Sequence, residues 1–445
     1  MPHSVCCIVR AKSSPESDRM PYDKDEHNMK LNWVTNRKTT GINRKHDHIA
    51  FVLQGGGALG AYQAGAYEEL GSTPYQPDWV VGVSIGAINA ALIAGNPPQR
   101  RVERLLEFWH LVSSGILLLT DAMPVSPWLK SGGELTEPRS AFNQFSAWQA
   151  ALMGIPGFYQ PRIPPPAFQP DGSPGALSVY DTGPLRATLE RLIDFDLINS
   201  QQVRLSLGAV NIRTGNSHYF DNLDTKIGPE HVMASGALPP AFPPVTIDGE
   251  AYWDGGILSN TPLQHVLDMR KKSRSVLVFQ VDLFSARGSI PINFEEVLKR
   301  QKDILYSSRT RYTSNMVAEI VNTRKAISSL LAKLPQELLD DAEVRHLAEV
   351  TNVAPVDLVH LIYRQGPYEL ESKDYEFSRV SILERWEAGR RDLRDTLTHP
   401  EWLKSAGQTA GATQYDLTQH SRPLRGEGEM PARRPETTVV PSVSP

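Results

Sequence analysis

The sequence predicts an α/β fold with a largely parallel central sheet and a mostly helical C-terminal extension. Two observations carry this. Short apolar runs end in glycine turns and are followed at once by helical patterns, in an order that recurs along the chain. Beyond residue 294, apolar positions then recur at helical spacing as far as Leu334.

Taken in order, residues 1–48 are polar and charged and lack the apolar core of a secretory signal. They read as a disordered leader, with Met20 and Met29 as alternative starts. The α/β domain spans 49–270. Within it HIAFVLQ (48–54) is a strand, followed by a glycine turn and a helix from Leu59 to about Leu70. WVVGVS (79–84) is a second strand, and IGAINAALIAG a helix rich in small residues. Residues 121–175 interrupt this order with Pro, Gly and aromatics, including Pro164-Pro165-Pro166, which suits neither helix nor sheet. The aromatics favour packing, so a cap-like insertion of low regularity is expected. LRATLERLIDF then reads as a helix, VRLSLGAVNIRTG and HYFDN as strands, and SVLVFQVDLF (275–284) as a buried strand. The extension, 271–404, adds the long helix 294–334, a strand at 356–364 and a last helix, ILERWEAGRRDLRDTL. Residues 405–445 read as a disordered tail.

Composition narrows the function classes. The 445 residues are 40% apolar and 22% charged, as in an ordinary globular protein, and the net charge of −4 gives no global basis for nucleic-acid binding. The two cysteines, Cys6 and Cys7, are adjacent, which excludes a disulfide framework and a cysteine-built zinc site and suits a reducing compartment. No apolar run reaches the roughly 18 residues of a membrane span. The expected location is the cytoplasm. Lys299, Arg300, Lys302, Arg309 and Arg311 make the first half of the long helix basic. This is either a solvated face or a surface for anionic lipid headgroups, and it leaves peripheral contact at the inner membrane surface open.

The stretch FVLQGGGALGAY (51–62) contains Gly55, Gly57 and Gly60 in the pattern G-x-G-x-x-G. A dinucleotide site would need an acidic residue at the end of the next strand, which here ends in Ser84, while Asp78 lies at its other end. A P-loop would need Gly-Lys-Ser/Thr, and Gly60 is followed by Ala61 and Tyr62. Gly82-Val83-Ser84-Ile85-Gly86 is a G-x-S-x-G at a strand-to-helix junction, with small neighbours at Ala87, Ala90 and Ala91. A nucleophile elbow needs that placement, because a tight turn lifts the serine oxygen clear of the sheet. Adjacent parallel strands bring Ser84 and the glycine turn to one edge. There the amides of a helix N-terminus are placed to hold the oxyanion formed when Ser84 attacks an ester carbonyl. Ser84 needs a base. His265, His346, His360 and His399 are available to a triad, yet none sits in a glycine turn. Asp254 does, in Tyr252-Trp253-Asp254-Gly255-Gly256, although such a turn equally fits an ordinary hairpin.

GGGALG, GVSIG and DGG, in this order, resemble the patatin-like phospholipase family. Ala234-Ser235-Gly236-Ala237-Leu238-Pro239-Pro240-Ala241-Phe242-Pro243-Pro244, just before the D-G-G turn, is similar to a fourth block of that family. The helical C-terminal part resembles the extension of a bacterial subgroup. The resemblance implies a patatin-like three-layer domain and a Ser-Asp dyad without a catalytic histidine. Ser84 would be the nucleophile and Asp254 its base. Backbone amides of Gly55, Gly56 and Gly57 would form the oxyanion hole, and Gly60, Gly82, Gly86, Gly255 and Gly256 would support the motifs. It further implies hydrolysis of lipid esters, of phospholipase A, lysophospholipase or esterase type, in lipid catabolism, with no cofactor and no metal. Leu59 departs from the pattern, since many members carry Arg or Lys there. An intracellular hydrolase of hydroxyacid polyesters or oligoesters would use the same dyad, and a non-catalytic lipid-binding protein is a third reading.

Overall fold

The computed structural model describes residues 46–115, 136–270, 274–335, 338, 341–351, 354, 356–399 and 412–415. Nearly all of the expected leader, and the expected tail apart from 412–415, lie outside these residues.

The strands are β1 (His48–Leu53), β2 (Trp79–Val83), β3 (Gln160–Pro161), β4 (Tyr180–Asp181), β5 (Arg204–Asn211) and β6 (Ser217–Asp221). They continue with β7 (Val245–Ile247), β8 (Glu250–Asp254), β9 (Val276–Asp282), β10 (Val356–Ile362) and β11 (Ala412–Tyr415). The main sheet runs β11-β10-β9-β1-β2-β5-β8-β7, with β6 also paired to β5. From β11 to β5 every pairing is parallel, and β6, β7 and β8 add antiparallel pairings at one end. The fold is therefore mixed α/β with a largely parallel central sheet. Strands β3 and β4 form a separate antiparallel pair.

The continuous apolar runs of β1, β2 and β9 follow from burial on both faces. Ile49, Phe51 and Leu53 of β1 join one apolar cluster, whereas Ala50 and Val52 join another with Val81, Val278 and Leu358. Helices α1 (Gly60–Leu70) and α2 (Ile85–Ala94) pack in the larger cluster, while Leu263 and Val266 of the short helix Leu263–Met269 cover the other face. Every residue of α2 is buried, which explains its lack of a polar face.

The 121–175 segment is less irregular than its composition suggests. Residues 121–135 lie outside the described part, but Thr136–Met153 forms an 18-residue helix, α3. Pro138 falls in its first turn, where the missing N–H is no loss. Arg139 ties this helix to the C-terminal region through Ser381 (3.0 Å) and Glu384 (2.9 Å). The long helix α4 spans Phe294–Leu331, three residues short of the sequence expectation. Two of its basic residues are engaged internally, Arg300 with the carbonyls of Ser285 and Ala286, and Lys302 with Glu371 and Asp374. The side chains of Arg309 and Arg311 lie outside the described part.

The last helix, α5 (Arg379–Thr398), crosses α1 at glycines. A Cβ on Gly65 would collide with the Trp386 carbonyl, and one on Gly389 with the Tyr62 carbonyl. The sheet does not stop at residue 270, because β9 pairs directly with β1 and β10 with β9. Within the stretch read as a disordered tail, Ala412–Tyr415 pairs with β10 as an edge strand. No helix among the described residues is long and apolar enough to cross a membrane.

Candidate active site

Strand β5 organises the site. Its residues 206–210 pair along one edge with β6. The other edge is taken by β2 as far as Gly208, opposite Val83, and from Ala209 onward by β8, with Asp254 opposite Ala209. Strand β2 is parallel to β5 and β8 antiparallel, so the two run toward each other along one edge and end at consecutive positions. Ser84 and Asp254 are thereby delivered to one point.

Ser84 has φ 58° and ψ −127°, in the left-handed half of backbone space that non-glycine residues rarely occupy. This is the strained turn that the G-x-S-x-G pattern predicts. Gly82 and Gly86 make it possible: a Cβ on Gly82 would run into the Gly86 carbonyl, and one on Gly86 into that of Leu53. The Ser84 N–H donates to Ser235, 3.0 Å to its carbonyl and 3.2 Å to its Oγ, and the Ser235 hydroxyl donates to Gly208 O at 2.6 Å. The ASGALPPAF block thus anchors the elbow. It also receives the Asp254 N–H at the Ala237 carbonyl (3.0 Å) and contributes Gly236, Leu238, Ala241 and Phe242 to the cavity wall.

Asp254 is 1% exposed. One carboxylate oxygen, Oδ1, accepts the Gly256 N–H at 2.7 Å, and Oδ2 is buried with no hydrogen-bond partner among the described residues. Burial pushes the carboxyl up to about 7, against the opposing pull of the Ser84 hydroxyl and the Gly256 N–H. The hydroxyl is near enough to favour the charged form, but no hydrogen bond of good geometry joins the two side chains. Gly255 packs against β5, where a Cβ would stand 2.7 Å from Gly208 O.

The glycine turn closes the other side. Gly57–Leu59 is one turn of 3-10 helix leading into α1, with Gly57 at φ 53°. A Cβ on Gly57 would collide with the Asp374 carbonyl, one on Gly55 would stand 3.0 Å from the Ser84 Cβ, and one on Gly60 would press on Ile85. The three expected oxyanion donors are not equivalent. The Gly55 N–H already donates to Asn260 O at 3.2 Å, whereas those of Gly56 and Gly57 have no acceptor among the described residues. Leu59 is fully buried in the core and does not face the cavity.

These residues open into a cavity of about 400 Å³ with mostly apolar walls, including Ile88, Phe158, Leu238, Phe242, Phe284 and Phe377. Phe158 and Tyr159 from the inserted segment share an aromatic cluster with Phe242, so that segment forms part of the wall. No histidine lines it among the described residues. His265 instead stacks on Tyr219 with ring centroids 3.9 Å apart. Reading the sequence missed Asn260, Tyr306, Asp374 and Tyr375, which all line the cavity. Asn260 lies only six residues beyond Asp254, which is the one signal that could have drawn attention to it; the other three carry none. Among the described residues, no group of three or more His, Cys, Asp or Glu is arranged to hold a metal ion.

Residues 51–267 match a family described as patatin-like phospholipase, and residues 304–409 match one described as patatin phospholipase. Among solved structures, VipD from Legionella pneumophila aligns at 15% identity with a TM-score of 0.31, covering 79% of this chain and 67% of that one. No curated protein matches the sequence. With two matches that together span most of the chain, the protein belongs to the patatin-like phospholipase family and carries its C-terminal extension.

Proposed function

We propose that the chain is a serine acyl hydrolase that cleaves carboxylic esters of lipids with Ser84 as nucleophile and Asp254 as base. The observation that carries this reading is the convergence of the two side chains at the junction of β2 and β8, where Asp254 keeps one buried oxygen without a partner. A base held near neutrality suits proton transfer at physiological pH.

In the proposed reaction the Ser84 Oγ attacks the ester carbonyl carbon while its proton passes to Asp254. The carbonyl oxygen becomes an oxyanion, held by the N–H groups of Gly56 and Gly57. The C–O bond to the alcohol breaks and Asp254 returns the proton to the departing oxygen. Water then attacks the acyl-serine, gives its proton to Asp254, and the acid leaves as Ser84 is reprotonated. The apolar cavity supports an acyl chain as the group bound beside the elbow. Trp148, Leu152 and Met153 are exposed beside cavity-lining Ala151 on α3, which supports contact with a lipid surface.

The test is hydrolysis of a p-nitrophenyl acyl ester and of a phospholipid panel read by mass spectrometry. Ser84→Ala and Asp254→Asn are expected to lose at least about 10³-fold in kcat. Full activity in either variant removes the dyad from the mechanism.

A further inference from the structure

Asn260 is joined to the glycine turn twice. Its Nδ2 donates to Gly55 O at 2.9 Å, and its own carbonyl accepts the Gly55 N–H at 3.2 Å. The side chain is almost fully buried, and its Oδ1 occupies the space that a Cβ on Gly55 would need. The same oxygen lies 2.9 Å from where a Cβ on Gly256 would stand. One loop, six residues on from Asp254, therefore carries both the base and a strut to the opposite side of the site.

The bond to Gly55 O matters because of which peptide it holds. The carbonyl of Gly55 and the N–H of Gly56 belong to one planar trans unit, so they point in opposite directions. Pinning the carbonyl toward Asn260 turns the Gly56 N–H, which has no acceptor among the described residues, away from it. Glycines flank this peptide on both sides, so its rotation meets little steric resistance. A rotated unit would present a carbonyl oxygen where the reaction needs a donor. Nothing else among the hydrogen bonds of the described residues fixes that carbonyl.

We propose that Asn260 is a positioning residue for the oxyanion hole, holding the Gly55–Gly56 peptide in the orientation that offers the Gly56 N–H to the reacting carbonyl oxygen. The inference rests on the proposed Ser84 chemistry and adds to it the residue that keeps the hole formed. Asn260 does not touch the reacting atoms. It acts on the transition state alone, because an ester in the ground state carries little charge on that oxygen.

The experiment uses the full chain with Asn260→Leu, which removes the donor at similar volume and without adding charge, and Asn260→Ser as a smaller second variant should the first fail to fold. Each is compared with wild type and Ser84→Ala for kcat and KM on a p-nitrophenyl acyl ester. Affinity is also measured for a trifluoromethyl ketone that forms an oxyanion adduct with serine, and for an unreactive ether of the same chain length. The expected result is a fall of about 10- to 100-fold in kcat, short of the roughly 10²–10³-fold that outright loss of one oxyanion donor costs, because the Gly56 N–H is still present and only its orientation is released. Trifluoromethyl ketone affinity falls in parallel, with KM and ether affinity within about twofold of wild type. An unchanged kcat overturns the proposal, and so does a kcat loss accompanied by an equal loss of ether binding, which would indicate a merely structural role. Inactive wild type overturns the proposed chemistry and this inference together, whereas active wild type with unaffected Asn260 variants overturns the inference alone.

Discussion

The backbone carbonyl of Asp374 stands where a Cβ on Gly57 would have to be, so the C-terminal part of the chain presses directly on the glycine turn. Gly57 also has φ 53°, where an L side chain is strained. In Gly57→Ala the turn must move, and its N–H moves with it. The expected loss is about 10²–10³-fold in kcat on a soluble ester. Circular dichroism should show the fold retained, and an active Gly57→Ala enzyme would show that this amide is not needed.

The pH dependence should carry the mark of Asp254. A carboxyl that burial holds near 7 is half protonated at neutrality, and only its charged form can accept the serine proton. We expect kcat/KM to fall on the acid side with an apparent pKa near 7, well above the ordinary carboxylate range. A profile flat down to pH 5 would contradict this.

Stability should run in the opposite sense. The folded carboxyl titrates near 7 and the unfolded one near 3.8, so burial favours the protonated form. That contribution is complete below about pH 4 and is lost as pH rises through 7. The charged form carries a penalty of about 4 kcal/mol. Asp254→Asn should therefore melt higher than wild type at pH 8, with the advantage shrinking toward pH 4. Melting curves at the two pH values decide the matter.

Histidine should be dispensable for the chemistry. His265 stacks on Tyr219 away from the cavity, and its Nε2 lies 3.8 Å from Asp221. His265→Phe keeps an aromatic ring against Tyr219 and is expected to retain kcat within about twofold, measured per folded molecule. A loss as deep as that of Ser84→Ala would restore a triad reading.

The contact of α1 with α5 leaves no room for a methyl group. Gly389→Ala would push against the Tyr62 carbonyl, and such overpacking costs about 1–3 kcal/mol. A lower melting temperature is expected, and an unchanged one would mean that the helices separate without cost.

Much of this was legible in short stretches of sequence because the constraints are local. Ser84 follows a buried strand and precedes a helix of small residues, and Gly82 is required by a backbone contact only four positions away, at Gly86. The D-G-G turn was ambiguous by itself, since its meaning comes from β5, which places Asp254 one position beyond Val83. Asn260 acts across 205 positions in sequence, and no local pattern encodes such a partner. Helix α3 was hidden by the prolines around it, although the one at its start is compatible with a first turn. Leu59 drew attention as a missing charge, yet it fills the core, and the cations beside the cavity wall among the described residues include Lys302, held by Asp374 at 2.8 Å, and Lys373, 5.2 Å from the Phe284 ring centroid.

Strand β1 ends in the glycine turn, and its two neighbours come from widely separated stretches of the chain: β2 from residues 79–83 and β9 from beyond residue 270. A protein cut after the D-G-G turn would keep the glycine turn, Ser84 and Asp254 and lose one whole edge of the strand that leads into that turn, together with the helix that covers α1. The motifs therefore do not mark a separable module. Unfolding should be a single cooperative event in which the C-terminal region and the reaction centre are lost at the same temperature.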